Sequence, residues 1–354
     1  MENSFLVYQH NWLLYIAVFA CAFAVSLFAT PYAKTIAIKL GAIDYPKKRG
    51  MHKKPVPRMG GIAIFLGFIL SMLIIAPFAS ELREKEFFGF IIGGIIIFVL
   101  GAIDDIKNLN AKTKLAVQIV VGLIVIFSGT EIDVVFFPML TNLGILSKPF
   151  TLFWIIGITN AINLIDGLDG LAAGVSSIGA LCLMVLCILT GTQVAVILTA
   201  ALAGSCLGFL PRNFNPADII MGDSGSTFLG YVLAVSSIMG VFKTYLALAV
   251  VLACLALALP IFDTLFAMLR RAINGQPVMQ ADRGHIHHRL IDSGWTHKQA
   301  VLIIYGISFA SALFSITLAL KNYFASTITL IATVVLTVIV FIYKKRVSVD
   351  SKSE

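Results

Sequence analysis

Eleven apolar stretches, joined by short polar connections whose positive charge falls almost wholly on alternate sides, constrain this chain more than any motif in it. They run at about 12–33, 59–79, 88–103, 115–129, 149–165, 171–189, 193–210, 225–242, 245–268, 299–320 and 323–343. A helix needs about 20 apolar residues to cross a bilayer. Of the 354 residues, 59% are hydrophobic and 12% charged, against about 45–50% and about 25% in a soluble domain. That balance excludes an ordinary soluble enzyme, a disordered chain and a soluble nucleic-acid binder. The predicted fold class is an all-α integral membrane protein of about eleven transmembrane helices, one polytopic domain over residues 1–354.

Eleven spans put the termini on opposite sides, and the basic residues choose which. One side carries 21 of the 26 Lys and Arg residues, in the connections 34–58, 107–114, 212, 270–298 and 344–352; the other holds Arg83, Lys85, Lys148, Lys243 and Lys321. Positive charge marks the cytoplasm, so the N-terminus is predicted outside and the C-terminus inside. The net charge of +8 thereby reports orientation, and nucleic acid is not needed to explain it. Twelve of the 18 acids and five of the six histidines fall on the same cytoplasmic side. Predicted cytoplasmic loops lie at about 34–58, 104–114, 166–170, 211–224 and 269–298. Residues 1–10 contain no Lys or Arg, unlike the basic start of a cleavable signal peptide, so the first span is expected to be retained. The five cysteines fall in apolar stretches without a CxxC pair, which indicates neither disulfides nor a zinc site.

Four polar clusters interrupt this apolar chain on that side. Asp104 and Asp105 close the third span. Adjacent carboxylates repel, and Mg2+ commonly joins one or two of them to waters and substrate phosphates; a solvated helix end is the plain alternative. Asp166 and Asp169, within NAINLIDGLDGLAAG, share a face if their turn is helical, and acids this close to a span are functional candidates. Asp223 opens the eighth span after NFNPADIIMG and before a Gly/Ser-rich start. Exposed N–H groups at such a start suit phosphate, with Asp223 bringing a metal or serving as an N-cap. The fourth cluster is Asp282-Arg283-Gly284-His285-Ile286-His287-His288-Arg289, which suits an anion site with proton-transfer capacity. A weaker feature runs from Arg49 and His52 to Arg58 and Gly61; alone it also fits a polybasic segment attracted to anionic lipid.

GAIDDIKNLNAKTKL, NAINLIDGLDGLAAG, NFNPADIIMGDSGS and HIHHRL, together with HKKPVPRMGG, resemble in content and order the polyprenyl-phosphate N-acetylhexosamine-1-phosphate transferases over roughly residues 30–310. The His segment resembles the undecaprenyl-phosphate GlcNAc-1-phosphate transferase branch. Arg212, where an aromatic is common, and Ile220, where Phe often precedes MGD, depart from the pattern.

The resemblance implies transfer of a sugar 1-phosphate from a UDP-N-acetylhexosamine to undecaprenyl phosphate. UMP is released and Mg2+ or Mn2+ is required. It also implies eleven spans, a cytoplasmic-face site in the bacterial inner membrane and a homodimer. On this basis the divalent ion is assigned to Asp223 with Asp105 as helper, and Asp104 is the candidate for positioning or deprotonating the lipid phosphate. Asn163, Asp166, Asp169 and Asn213 are expected to contact nucleotide and sugar. His285 (also a candidate for proton transfer), His287, His288, Arg289, Lys114 and His52 are expected near phosphate oxygens. A secondary transporter with a cytoplasm-facing anion site is the alternative, but its ionisable site belongs near the midplane between repeated halves, and no repeat is visible.

Overall fold

Backbone polar groups in lipid have no water to pair with, and the α-helix satisfies them within one segment. The computed structural model describes residues 11–45, 55–79, 82, 84–136, 140–242, 257–273 and 286–350. These form α1 (Trp12–Lys39), α2 (Gly61–Ile75), α3 (Lys85–Lys107), α4 (Ala111–Phe127), α5 (Ser147–Ile165), α6 (Leu171–Thr190), α7 (Gln193–Asn213), α8 (Gly222–Ser237), α9 (Ala258–Ile273), α10 (Ile286–Asp292), α11 (His297–Ala319) and α12 (Tyr323–Asp350). Two short antiparallel pairs, β1 (Ile43–Asp44) with β2 (Val56–Pro57) and β3 (Val134–Phe136) with β4 (Leu140–Asn142), complete the described elements.

Among the described residues, eight helices are long and apolar enough to cross a membrane: α1, α2 with its extension to Phe78, α3, α5 from Gly144, α6, α7, α8 with its π turn to Val241, and α11. Helices also stand at the predicted fourth and eleventh positions. α4 has 17 residues, and the apolar part of α12 covers Tyr323–Ile339. The ninth predicted span, 245–268, lies largely outside the described residues, and its described end belongs to α9. In α9, Phe262, Leu265, Phe266, Leu269 and Ile273 are exposed along one stripe while Arg271 is buried. That is an amphipathic helix with its apolar stripe turned outward.

α8 is the hub. From Ser224 through Val241 its residues are buried, enclosed by α2, α3, α5, α6 and α7. Without an aqueous driving force, helices in membranes associate by close packing of small residues, and glycine provides it here. A Cβ on Gly230 of α8 would stand 2.6 Å from Thr159 Cα of α5, and one on Gly101 of α3 would strike the Asp223 carbonyl. Beneath these contacts Phe65 stacks on Phe98 with ring centroids 4.0 Å apart, and buried Tyr231 donates its O–H to the Phe90 carbonyl at 2.8 Å. Gly101→Val is therefore expected to push α3 off the start of α8 at a cost of about 1–3 kcal/mol. A lowered melting temperature in detergent checks this, and an unchanged one contradicts the packing.

Candidate active site

The polar ends of α2, α3, α4, α5, α7, α8 and α11 meet at one end of the bundle. The chain preceding α2 is stitched there by main-chain bonds: Ile220 N–H donates to Pro57 O at 2.8 Å, Gly60 N–H to Ile220 O at 2.9 Å, and Gly61 N–H to Met221 O at 2.9 Å. This seam delivers Arg58 to the acids.

Consecutive helix residues point about 100° apart, so Asp104 and Asp105 part company. Asp105 turns under α8. Its Oδ1 accepts from Arg58 Nε at 3.1 Å and from Asp223 N–H at 2.8 Å, and its Oδ2 from Ser224 N–H at 3.1 Å. The expectation that the α8 start offers free N–H groups to a phosphate is thereby corrected. Asp105 takes the N–H groups of the second and third residues, Asp223 and Ser224, where a carboxylate also complements the helix dipole. Gly222, at φ +75, makes room for this cap: a Cβ there would stand 2.6 Å from both Asp105 oxygens.

Asp104 faces α4. It accepts from Lys114 Nζ at 2.8 Å and from Leu109 N–H at 2.5 Å. Lys114 Nζ also donates to Asp223 Oδ2 at 3.0 Å, while Arg58 Nη2 lies 3.6 Å from Asp223 Oδ1. Asp223 thus stands between two cations. Its side chain is 22% exposed, against 0% for Asp105 and 4% for Asp104; it is the carboxylate a ligand can reach. Three carboxylates against two cations leave local net negative charge. Burial works against the Arg58 charge, yet Asp105 and Asp223 more than offset it and raise its pKa above the usual value.

Hard oxygen donors of this kind fit Mg2+ or Mn2+, which keep waters and substrate phosphates as most of their ligands. Among the described residues no three His, Cys, Asp or Glu side chains group closely enough to hold a metal ion alone.

Asn163 on α5 donates to Ser226 Oγ of α8 at 2.9 Å. Asp166 follows at the C-cap of α5, half-buried; burial first, then the Asp223 and Asp105 charges, push its pKa up to about 8. A carboxyl held neutral can donate a hydrogen bond to an anionic oxygen. The 166–170 turn is not helical, so the expected shared face of Asp166 and Asp169 is absent. The Asp169 carboxylate instead accepts from Asn215 Nδ2 at 2.9 Å and Ala217 N–H at 3.1 Å. Asn213 answers from the other loop, accepting from Gly170 N–H at 3.1 Å and donating to Ile219 O at 3.0 Å. These two predicted contact residues lock the DGLDG and NFNPAD turns together.

The His segment is described from Ile286 onward. Its helix α10 carries His288 and Arg289, and Ile286 N–H donates to Asp263 Oδ1 of α9 at 2.8 Å. His52, His285 and the side chain of His287 lie outside the described residues. The departure Arg212 pairs with Asp218 at 3.4 Å on the surface, and Ile220 contributes its main chain to the seam with Pro57.

Sequence reasoning underrated Arg58 and passed over His297 and Tyr305, which touch the Asp169–Gly170 turn. The clue to Arg58 is its place between Pro57 and the Gly60-Gly61 pair; a polybasic label hid it. A single His and a Tyr inside an apolar span give no such clue.

Comparison with known proteins adds a second line. The model of glycosyl transferase family 4 matches residues 87–241, the stretch from α3 to the end of α8 that holds Asp104, Asp105, Lys114 and Asp223. A Bacillus subtilis (strain 168) protein named probable undecaprenyl-phosphate N-acetylglucosaminyl 1-phosphate transferase is 42% identical over 306 residues, covering 86% of this chain and 84% of its own length. The chain belongs to glycosyl transferase family 4. Other similar family members include the decaprenyl-phosphate N-acetylglucosaminephosphotransferase of Mycolicibacterium smegmatis, 35% identical over 79% of this chain and 76% of its own. The undecaprenyl-phosphate alpha-N-acetylglucosaminyl 1-phosphate transferase of Escherichia coli K12 is 29% identical over 77% and 75%.

Proposed function

We propose that this family 4 chain transfers N-acetylglucosamine 1-phosphate from UDP-GlcNAc to undecaprenyl phosphate on the cytoplasmic face of a bacterial inner membrane. The names of its relatives support the acceptor and the sugar phosphate. The one-sided Lys/Arg distribution supports eleven spans with the N-terminus outside and the polar end inside. The observation that carries the reading is Asp223, the open carboxylate held between Lys114 and Arg58 at the mouth of the bundle.

In the reaction an oxygen of the lipid phosphate forms a bond to the sugar-bearing phosphorus of the donor, and the bond to the UMP oxygen breaks. UMP departs with the electron pair. Asp223 would hold the divalent ion, which when bound would supply charge neutralisation to the diphosphate. Lys114 and Arg58 keep Asp223 ionised and aimed, and transfer of this kind depends chiefly on positioning and charge. Asp105, with both oxygens engaged by Arg58 and α8, acts in this proposal by fixing Asp223. Asp104 acts by fixing Lys114 beside the incoming lipid phosphate. A phosphate monoester has its second pKa near ~6, so the acceptor is already largely dianionic at neutral pH without a general base. His288 and Arg289 on α10 provide anion contacts at the rim.

The test is purified protein in lipid nanodiscs with undecaprenyl phosphate, Mg2+ and a panel of UDP-sugars, reading UMP and lipid product. Turnover with UDP-GlcNAc that stops on chelation and returns with Mg2+ or Mn2+ is expected. No turnover with any UDP-N-acetylhexosamine overturns the proposal.

A further inference from the structure

His297 occupies the first turn of α11, directly after a capping box in which Thr296 and Gln299 satisfy each other's main chain. It is half-buried, and its Nε2 accepts the Asp169 N–H at 2.8 Å. An accepting Nε2 carries no proton, so this imidazole holds its hydrogen on Nδ1. Eight residues later on the same helix, Tyr305 donates its O–H to the Gly170 carbonyl at 2.5 Å. α11 therefore grips two successive residues of the turn from behind, while Asn213, Asn215 and Ala217 grip them from the NFNPAD side. The turn has no ladder or helix of its own to hold it, and Gly170 adopts φ +80. Asp169 is buried, so its N–H pairs with the imidazole or loses a partner altogether, which is costly for a buried amide.

The geometry points to His297 as a positioning residue for the nucleotide-sugar half of the site. By holding Asp169 it fixes the turn that begins at Asp166, the C-cap of α5, and so fixes the groups that meet the donor. The acceptor half hangs on different elements, since Asp104 and Lys114 belong to α3 and α4 whereas α11 packs chiefly on α6 and α12. This inference rests on the UDP-sugar reading given above.

The two halves make the test selective. Wild type, His297→Ala, His297→Gln and Tyr305→Phe are compared in nanodiscs for kcat and for KM with UDP-GlcNAc and with undecaprenyl phosphate. His297→Ala is expected to raise the donor KM about tenfold, the scale of one lost buried hydrogen bond. kcat should move far less, and the acceptor KM should not move. His297→Gln, whose amide oxygen can take the Asp169 N–H, is expected to restore the donor KM. Tyr305→Phe, which removes only the bond to Gly170, should reproduce the rise and serves where His297→Ala fails to purify. The inference is overturned if wild type turns over and the donor KM of the variants stays within about twofold, well under one hydrogen bond. It is also overturned if both KM values shift together with the melting temperature, as for a merely structural anchor. A wild type inactive with every UDP-sugar would instead overturn the parent reading, so the two failures are distinct.

Discussion

Asp223→Asn is expected to abolish Mg2+-dependent UMP release, lowering kcat by about a thousandfold or more, the scale seen when a preorganised charge is removed from a transition state. Asn keeps the shape and removes the charge. Asp223 is the most open of the three clustered carboxylates, and its oxygens lie 3.0 Å from Lys114 Nζ and 3.6 Å from Arg58 Nη2. Without its charge those two cations face each other across a neutral amide, and a divalent ion gains no ligand strong enough to bring it there. The measurement is UMP release across a Mg2+ titration. Asp218→Asn, an exposed carboxylate at the same end of the bundle, serves as the control because it pairs only on the surface, with Arg212 and Lys34. Retention of metal-dependent release within about tenfold by Asp223→Asn would remove the central assignment.

Arg58→Ala is expected to cost both stability and activity. Arg58 bonds Asp105 through Nε at 3.1 Å and Nη2 at 3.0 Å, and the Asp105 side chain is fully shielded from solvent. Removing one partner of a buried pair typically costs about 3–5 kcal/mol, because the remaining charge stays buried and uncompensated. Asp105 would still cap α8, but with unrelieved charge, so Asp223 in the first turn loses its fixed aim. A fall in melting temperature of about 5–10 °C in detergent together with near-complete loss of turnover is the expected pair of readings. Arg58→Lys should recover part of the stability and little of the rate, since an ammonium cannot span both acids as a planar fork does. Full activity in Arg58→Lys would show that charge alone suffices.

Helix positions were legible because lipid leaves the backbone few choices, and runs of apolar residues announce them. α9 shows what an apolar run leaves open: Phe262, Phe266 and Leu269 are exposed along one stripe while Arg271, just past the apolar run, is buried. The Asp104–Asp105, Asp166–Asp169 and Asp223 motifs were legible as candidates, since acids in so apolar a chain are costly unless used. Their wiring was not. A Gly-rich helix start looks open to phosphate until Asp105, 118 residues earlier in the chain, is folded onto it. Asp169 and Asn213 looked like ligand contacts, yet much of their bonding capacity ties two turns together. His297 was invisible because its role depends on a partner 128 residues away.

The way the two turns are bound to each other and to α11, while Asp104 and Lys114 ride on α3 and α4, bears on how such a chain changes over generations. Substitutions in 166–170, 213–219 and the start of α11 can be selected together as one unit, because each is the others' scaffold. Among the described residues the Asp104–Lys114 pair bonds Leu109 and Asp223, which lie outside that unit. On the donor and acceptor halves proposed above, substitutions in one block could change the nucleotide-sugar while the Asp104–Lys114 block stays as it is.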